Sequence, residues 1–124
     1  MDPSVLTKLH TLMSQPKFVD ESGTIYNWMR PEKLRLSAEA QLNELIERVI
    51  HVADDKSPKT LVISEFRKAL ARFPAYDMED RERMCRYLVQ IMEIVGIKNS
   101  GGLLTRWLYG PILGSLIWLR HRSN

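Results

Sequence analysis

The sequence predicts an all-α fold: a small bundle of four main helices plus a short C-terminal helix, around a central buried helix over residues 78–95. Three observations carry this. Apolar residues recur at helical spacing in four separate stretches, each bounded by Ser, Asp, Pro or Gly. Between Met84 and Val95 only Arg86, Gln90 and Glu93 are polar, spaced four and three apart, so a narrow polar stripe marks an otherwise apolar cylinder. A helix apolar on most of its circumference is buried on most sides. Finally, 124 residues at 44% hydrophobic and 27% charged suffice for one core without disulfides or metal. The single cysteine, Cys85, excludes an internal disulfide framework and a Cys-rich zinc site.

The first helix is expected over Ser4–Met13, after Pro3, with Val5, Leu6, Leu9, Leu12 and Met13 on one face. Pro16, Gly23 and Pro31 then break the pattern from Gln15 to Leu36. This stretch is expected to be an ordered loop, with Thr24–Met29 as a short extended piece and Phe18, Tyr26 and Trp28 packed on the helices. Ser37 suits the N-cap of a second helix over about residues 38–54, whose face is Leu42, Leu45, Ile46, Val49, Ile50 and Ala53. Asp54 and Asp55 follow at its C-terminal end, where the helix dipole disfavours acids. Ser57-Pro58 starts a third helix carrying Val62, Phe66, Ala69, Leu70 and Phe73, ended by Pro74.

Asp77 caps the fourth helix, with Glu79 and Asp80 in its first turn, as the dipole favours. Gly96 supplies the left-handed residue after its end, and Ile97 is placed to close a Schellman motif on Met92. Lys98–Gly102 is a turn, and Leu103, Leu104, Trp107 and Leu108 form the face of a short helix stopped by Gly110-Pro111. Residues 1–110 are thus one helical domain, and residues 111–124 are an apolar and basic tail.

The formal net charge of +3 is unevenly placed. Residues 98–124 hold Lys98, Arg106, Arg120 and Arg122 and no acid, whereas the first 97 residues hold 14 Lys and Arg against 15 acids. A nucleic-acid domain spreads its basic charge over a folded face, so nucleic acid is not an expected partner. The N-terminus has an acid at position 2 and no basic stretch leading into an apolar run. A signal peptide is therefore not expected, and the cytoplasm is the expected location.

Catalysis by a nucleophile needs a base within hydrogen-bond reach. His10, His51 and His121 come from separate elements, and no metal-ligand spacing, HExxH or glycine-rich nucleotide loop is present. No cofactor, metal or small-molecule substrate is expected. Cys85 shares an apolar face with Leu88, Met92 and Val95, which reads as a small buried hydrophobe; a thiol-dependent enzyme is the least favoured alternative. Lys98, Ser100, Gly101 and Gly102 precede a helix start, where free N–H groups can hold an anion, although the same residues make an ordinary turn.

The tail carries the sharper expectation. Leu103–Leu119 is broken by Arg106, Gly110, Pro111, Gly114 and Ser115, so it falls short of the ~20 apolar residues that span a membrane. It can pack on the body, enter a partner or second subunit, or lie on a membrane surface anchored by Trp118, Arg120 and Arg122. Trp107, Leu113, Ile117, Trp118, Arg120 and Arg122 are the candidate partner-binding residues.

Glu65-Phe66, Phe73, Asp77–Arg83, Cys85-Arg86-Tyr87, Ile91-Met92, Ile94–Ile97, Ser100-Gly101-Gly102 and Trp107–Gly110 together resemble a bacterial family, domain of unknown function 4844, and Arg30-Pro31 to Ile50 is similar to its proline-entered helix. The resemblance covers about residues 25–110 and implies a compact helical bacterial protein, with no active residues to carry over. The function expected is a non-enzymatic interaction module, engaging a protein partner or a second copy of itself. The alternatives are a toxin-neutralising immunity protein and a peripheral membrane protein.

Overall fold

The computed structural model describes residues 1–20, 26, 28–53 and 58–110. They form five helices: α1 (Pro3–Ser14), α2 (Glu32–Val52), α3 (Pro58–Ala71), α4 (Met78–Val95) and α5 (Leu103–Tyr109). The all-helical expectation holds, and among the described residues there is no strand. Tyr26, Trp28 and Met29 lie in irregular chain rather than an extended piece, and the rest of that expectation falls on Thr24, Ile25 and Asn27, outside the described residues. Asp54, Asp55 and Ser57 also lie outside them.

α1 starts one residue earlier than its apolar face requires, because Asp2 accepts the Ser4 N–H at 2.7 Å and so caps it. Leu9 and Leu12 are its buried residues. The larger departure is α2. It begins at Glu32, six residues before the expected start, with Pro31 as N-cap and no side-chain cap bond. Glu32, Lys33, Leu34, Arg35 and Leu36 are all good helix formers, and the Pro31 carbonyl accepts from both Leu34 and Arg35 N–H. Ser37, expected as the cap, is an exposed residue inside the helix.

α1 packs on α2 and α4, α2 on α3, and α5 on α4. Arg48 reaches Glu65 at 3.7 Å and Arg72 reaches Glu44 at 3.9 Å, so α2 and α3 run antiparallel. Arg48 also pairs with Glu44 one turn away on its own helix. The shared core takes Leu42, Leu45, Ile46 and Val49 from α2, Val62, Phe66 and Leu70 from α3, and Met84, Leu88, Ile91 and Met92 from α4. α4 contributes more buried residues than any other helix, while Arg86, Gln90 and Glu93 face solvent.

The chain after α1 is held by polar contacts that hydropathy does not reveal. Lys17 is fully buried, and its ammonium donates to the Met13 and Gln15 carbonyls at 2.8 and 2.7 Å, satisfying the end of α1. Its N–H donates to Glu39 Oε2 at 2.7 Å, and its carbonyl accepts from Arg35 Nη1 at 3.0 Å. Arg35 in turn pairs with Glu39 and Glu32. Phe18 takes a left-handed φ of 60°, fixed on one side by its N–H donating to Tyr87 Oη at 3.0 Å and on the other by Met29 N–H donating to its carbonyl at 2.9 Å. Phe18 and Tyr26 are buried as expected, but Trp28 is 45% exposed, lying on α2 beside Glu32 and Arg35.

Candidate functional site

The chain reverses between α4 and α5 by two glycine-dependent steps. Gly96 stands at φ 82°, and the Met92 carbonyl accepts the Ile97 N–H at 2.8 Å, the long bond of a Schellman motif. Gly101 and Gly102, at φ 67° and 84°, then turn the chain into α5. Asn99 Oδ1 accepts the Gly101 N–H at 3.1 Å, and the Ser100 carbonyl and Oγ accept the Leu103 and Leu104 N–H groups at 3.4 Å each. Arg106 donates to the Gly101 carbonyl at 3.2 Å. The Gly101, Leu103 and Leu104 N–H groups, which an anion there would use, are thus engaged within the turn, and Lys98 itself is exposed.

α5 runs back along α4, and Trp107 clamps it. The indole N–H donates to the Leu70 carbonyl at 3.0 Å, the ring meets Phe73 edge-on at 5.6 Å, and the Arg81 guanidinium lies 3.9 Å over it. Arg81 also donates to the Trp107 carbonyl at 3.0 Å. Trp107, proposed from sequence as a partner residue, has its N–H, one edge and one face taken by the body.

Beside this clamp, α4 and α5 leave an open groove of about 430 Å³. Its apolar wall is Cys85, Val89 and Met92 on α4 with Leu104, Leu108 and Tyr109 on α5, and Lys98–Ser100 close one end. Val89 and Tyr109 are 42% and 41% exposed, large apolar groups left open beside a filled core. Cys85 sits at the bottom, 9% exposed. Burial pushes its thiol pKa up to about 11, with Arg81 opposing and Glu82 reinforcing the shift, so at neutral pH it is a thiol rather than a nucleophilic thiolate.

A second depression, about 610 Å³, lies at the start of α4 between Asp20, Trp28, Arg30, Tyr76, Asp77 and Asp80. Two of its carboxylates have structural partners: Asp77 accepts the Glu79 N–H at 2.9 Å, and Asp80 Oδ1 accepts the Tyr26 hydroxyl at 2.6 Å. Tyr26 lies under Arg83 at 4.5 Å. Burial raises the Asp80 pKa in spite of the Tyr26 bond, and burial followed by the Asp80 bond holds the Tyr26 phenol well above its usual range.

The groove was only partly visible in sequence. Val89 belongs to an apolar run, and hydropathy alone assigns it to the core. The stripe Arg86, Gln90, Glu93 does flank it on the helix, which is the signal for an exposed position. Leu113, Ile117, Trp118, Arg120 and Arg122 lie outside the described residues. Among the described residues no cluster of three His, Cys, Asp or Glu is placed to hold a metal, and no helix is long and apolar enough to cross a membrane.

The family model described as "Domain of unknown function (DUF4844)" matches residues 1–111. It is the family resembled by the motifs between Arg30 and Gly110, and the match carries the relationship to the N-terminus. Comparison with curated proteins and with solved structures found no match.

Proposed function

Since the chain belongs to this family of unknown function, we propose from its geometry that it is a protein-interaction module whose contact surface is the α4–α5 groove. The observation that carries this is the open apolar wall itself. Val89 and Tyr109 stay about two-fifths exposed at its rim, while Cys85, Met92 and Leu104 below them are buried. Exposed apolar surface of this kind, edged by polar residues, is typical of contact sites. A helix laid in such a groove is read through side chains on successive turns, and Cys85, Val89 and Met92 present three such turns of α4. The buried, protonated thiol fits a packing role for Cys85 better than a reactive one.

The test is capture on the immobilised full chain, with Val89→Asp as control. Val89 is exposed enough that this change costs about 1 kcal/mol or less of stability, but it places a charge in the apolar wall. A partner retained by the native chain and lost from Val89→Asp at unchanged thermal midpoint supports the reading. The same retained proteins on both, or none on either, defeats it.

A further inference from the structure

We infer that the partner in the α4–α5 groove is a second copy of the chain, docked about a two-fold axis at Val89-Gln90 with its α4 antiparallel to the first. The inference rests on the groove being a contact surface and adds what occupies it. It comes from the order of charges along the exposed side of α4. Glu82, Arg86, Val89 and Glu93 are exposed and spaced four, three and four apart, so they form one stripe beside the groove. Lys98, also exposed, closes the groove beyond the end of the helix. From Glu82 to Lys98 the charges run negative, positive, negative, positive, with the apolar Val89 at the centre.

Such an order is complementary to its own reverse. Arg86 lies three residues before Val89, and Glu93 three after Gln90. Both are therefore about 5 Å along the helix from the Val89-Gln90 midpoint, and an antiparallel copy brings them level. Glu82 and Lys98, seven before Val89 and eight after Gln90, meet in the same way. The two-fold axis repeats each contact, so every charge of the stripe finds its opposite in the other copy. A parallel copy would instead set each charge against its own kind. Rim charges fix orientation more than they supply affinity, and the affinity comes from the apolar wall. Val89 meets its own counterpart at the axis, and the second α4 lies along Leu104, Leu108 and Tyr109 of the first α5. By symmetry the first α4 lies along the second α5, so both grooves are filled at once. The depression at the start of α4 lacks this property. It holds Asp20, Asp77, Glu79 and Asp80 against Arg30, so a second copy would meet it with like charge.

The experiment follows the mass of the full chain by sedimentation as it is diluted from millimolar to micromolar concentration. A two-chain mass that dissociates on dilution is expected. Arg86→Glu and Glu93→Arg, each alone, set like charges opposite each other at both symmetry-related contacts. Each should raise the dissociation constant about tenfold or more. The double variant Arg86→Glu/Glu93→Arg restores opposite charges across the axis and should return to within about threefold of native. That recovery also shows that neither substitution unfolds the chain. One-chain mass at every concentration overturns the inference. So does a double variant as weak as the single ones, or a dimer that neither single variant weakens. In the capture test the retained partner is then the same chain. A different protein, lost from Val89→Asp while the native chain stays one-chain in mass, keeps the contact surface and removes the second copy. Retention indifferent to Val89→Asp defeats the surface itself.

Discussion

At the scale of single residues, the polar groups inside this protein decide more than its apolar ones. Lys17, Arg35, Asp80 and Arg83 are all buried, and they meet backbone carbonyls, carboxylates, a phenol and an aromatic ring. Burial works against the charged form of Lys17 and of Asp80. For Asp80 it raises the pKa above the ordinary 3.8 although Tyr26 donates to the carboxylate. A raised folded-state pKa means that the group's contribution is fully present below 3.8 and is lost as pH climbs through the raised value. Asp80→Asn keeps an oxygen for the Tyr26 hydroxyl and removes the ionisation. Its unfolding free energy in urea, measured against the native chain from pH 4 to 7, should therefore improve relative to native as pH rises. A native chain that gains on the variant over that range refutes this. Tyr26→Phe should instead cost about 1–3 kcal/mol at neutral pH, because it strips the donor from a buried carboxylate.

At the scale of elements, α3, α4 and α5 start where the sequence places them, and the start of α2 was not legible. Asp77 and Gly96 bound α4 where the sequence places them, since a carboxylate cap and a left-handed glycine are local chemistry. α2 was misplaced because Ser37 resembles a cap, whereas Pro31 starts the helix with only backbone groups. The span 32–36 looked like loop for want of apolar periodicity. Its job is polar: Arg35 reaches back to the Lys17 carbonyl and forward one turn to Glu39, which pattern-matching on hydropathy misses. Gly96 gives this scale its test. No heavy atom lies within 4 Å of where its Cβ would be, so Gly96→Ala meets no steric obstacle beyond its own φ of 82°. It should cost about 1–2 kcal/mol, read as a lower urea midpoint at unchanged slope. Gly96→Asn should recover part of that loss, because Asn tolerates the left-handed region. Equal losses for Ala and Asn would place the cost in something other than the backbone.

At the scale of the whole molecule, one line of aromatic contacts joins parts that are distant in sequence. Tyr87 meets Phe18 edge-on at 5.1 Å, Phe18 meets Phe73 at 5.8 Å, and Phe73 meets Trp107 at 5.6 Å. The loop after α1, the end of α3, α4 and α5 are thereby tied through four rings. The sequence shows each ring but not their order, since pairings as distant as Phe18 with Tyr87, Phe18 with Phe73 and Phe73 with Trp107 leave no local pattern. That is why Trp107, distinctive in sequence, could be taken for a partner residue. The two roles separate on substitution. If Trp107 closes α5 onto the body, Trp107→Ala loses a bonded indole, a ring contact and the Arg81 stack together, at about 3–5 kcal/mol. The thermal midpoint should then fall on the order of 10–20 °C. Trp107→Phe keeps a ring between Phe73 and Arg81 and gives up chiefly the bond to the Leu70 carbonyl, for about 1–2 kcal/mol. A graded loss from native to Phe to Ala, read by thermal unfolding, marks the clamp. An unchanged midpoint in both variants, with partner capture abolished, would return Trp107 to the binding surface and leave α5 held by Leu103, Leu104 and Leu108.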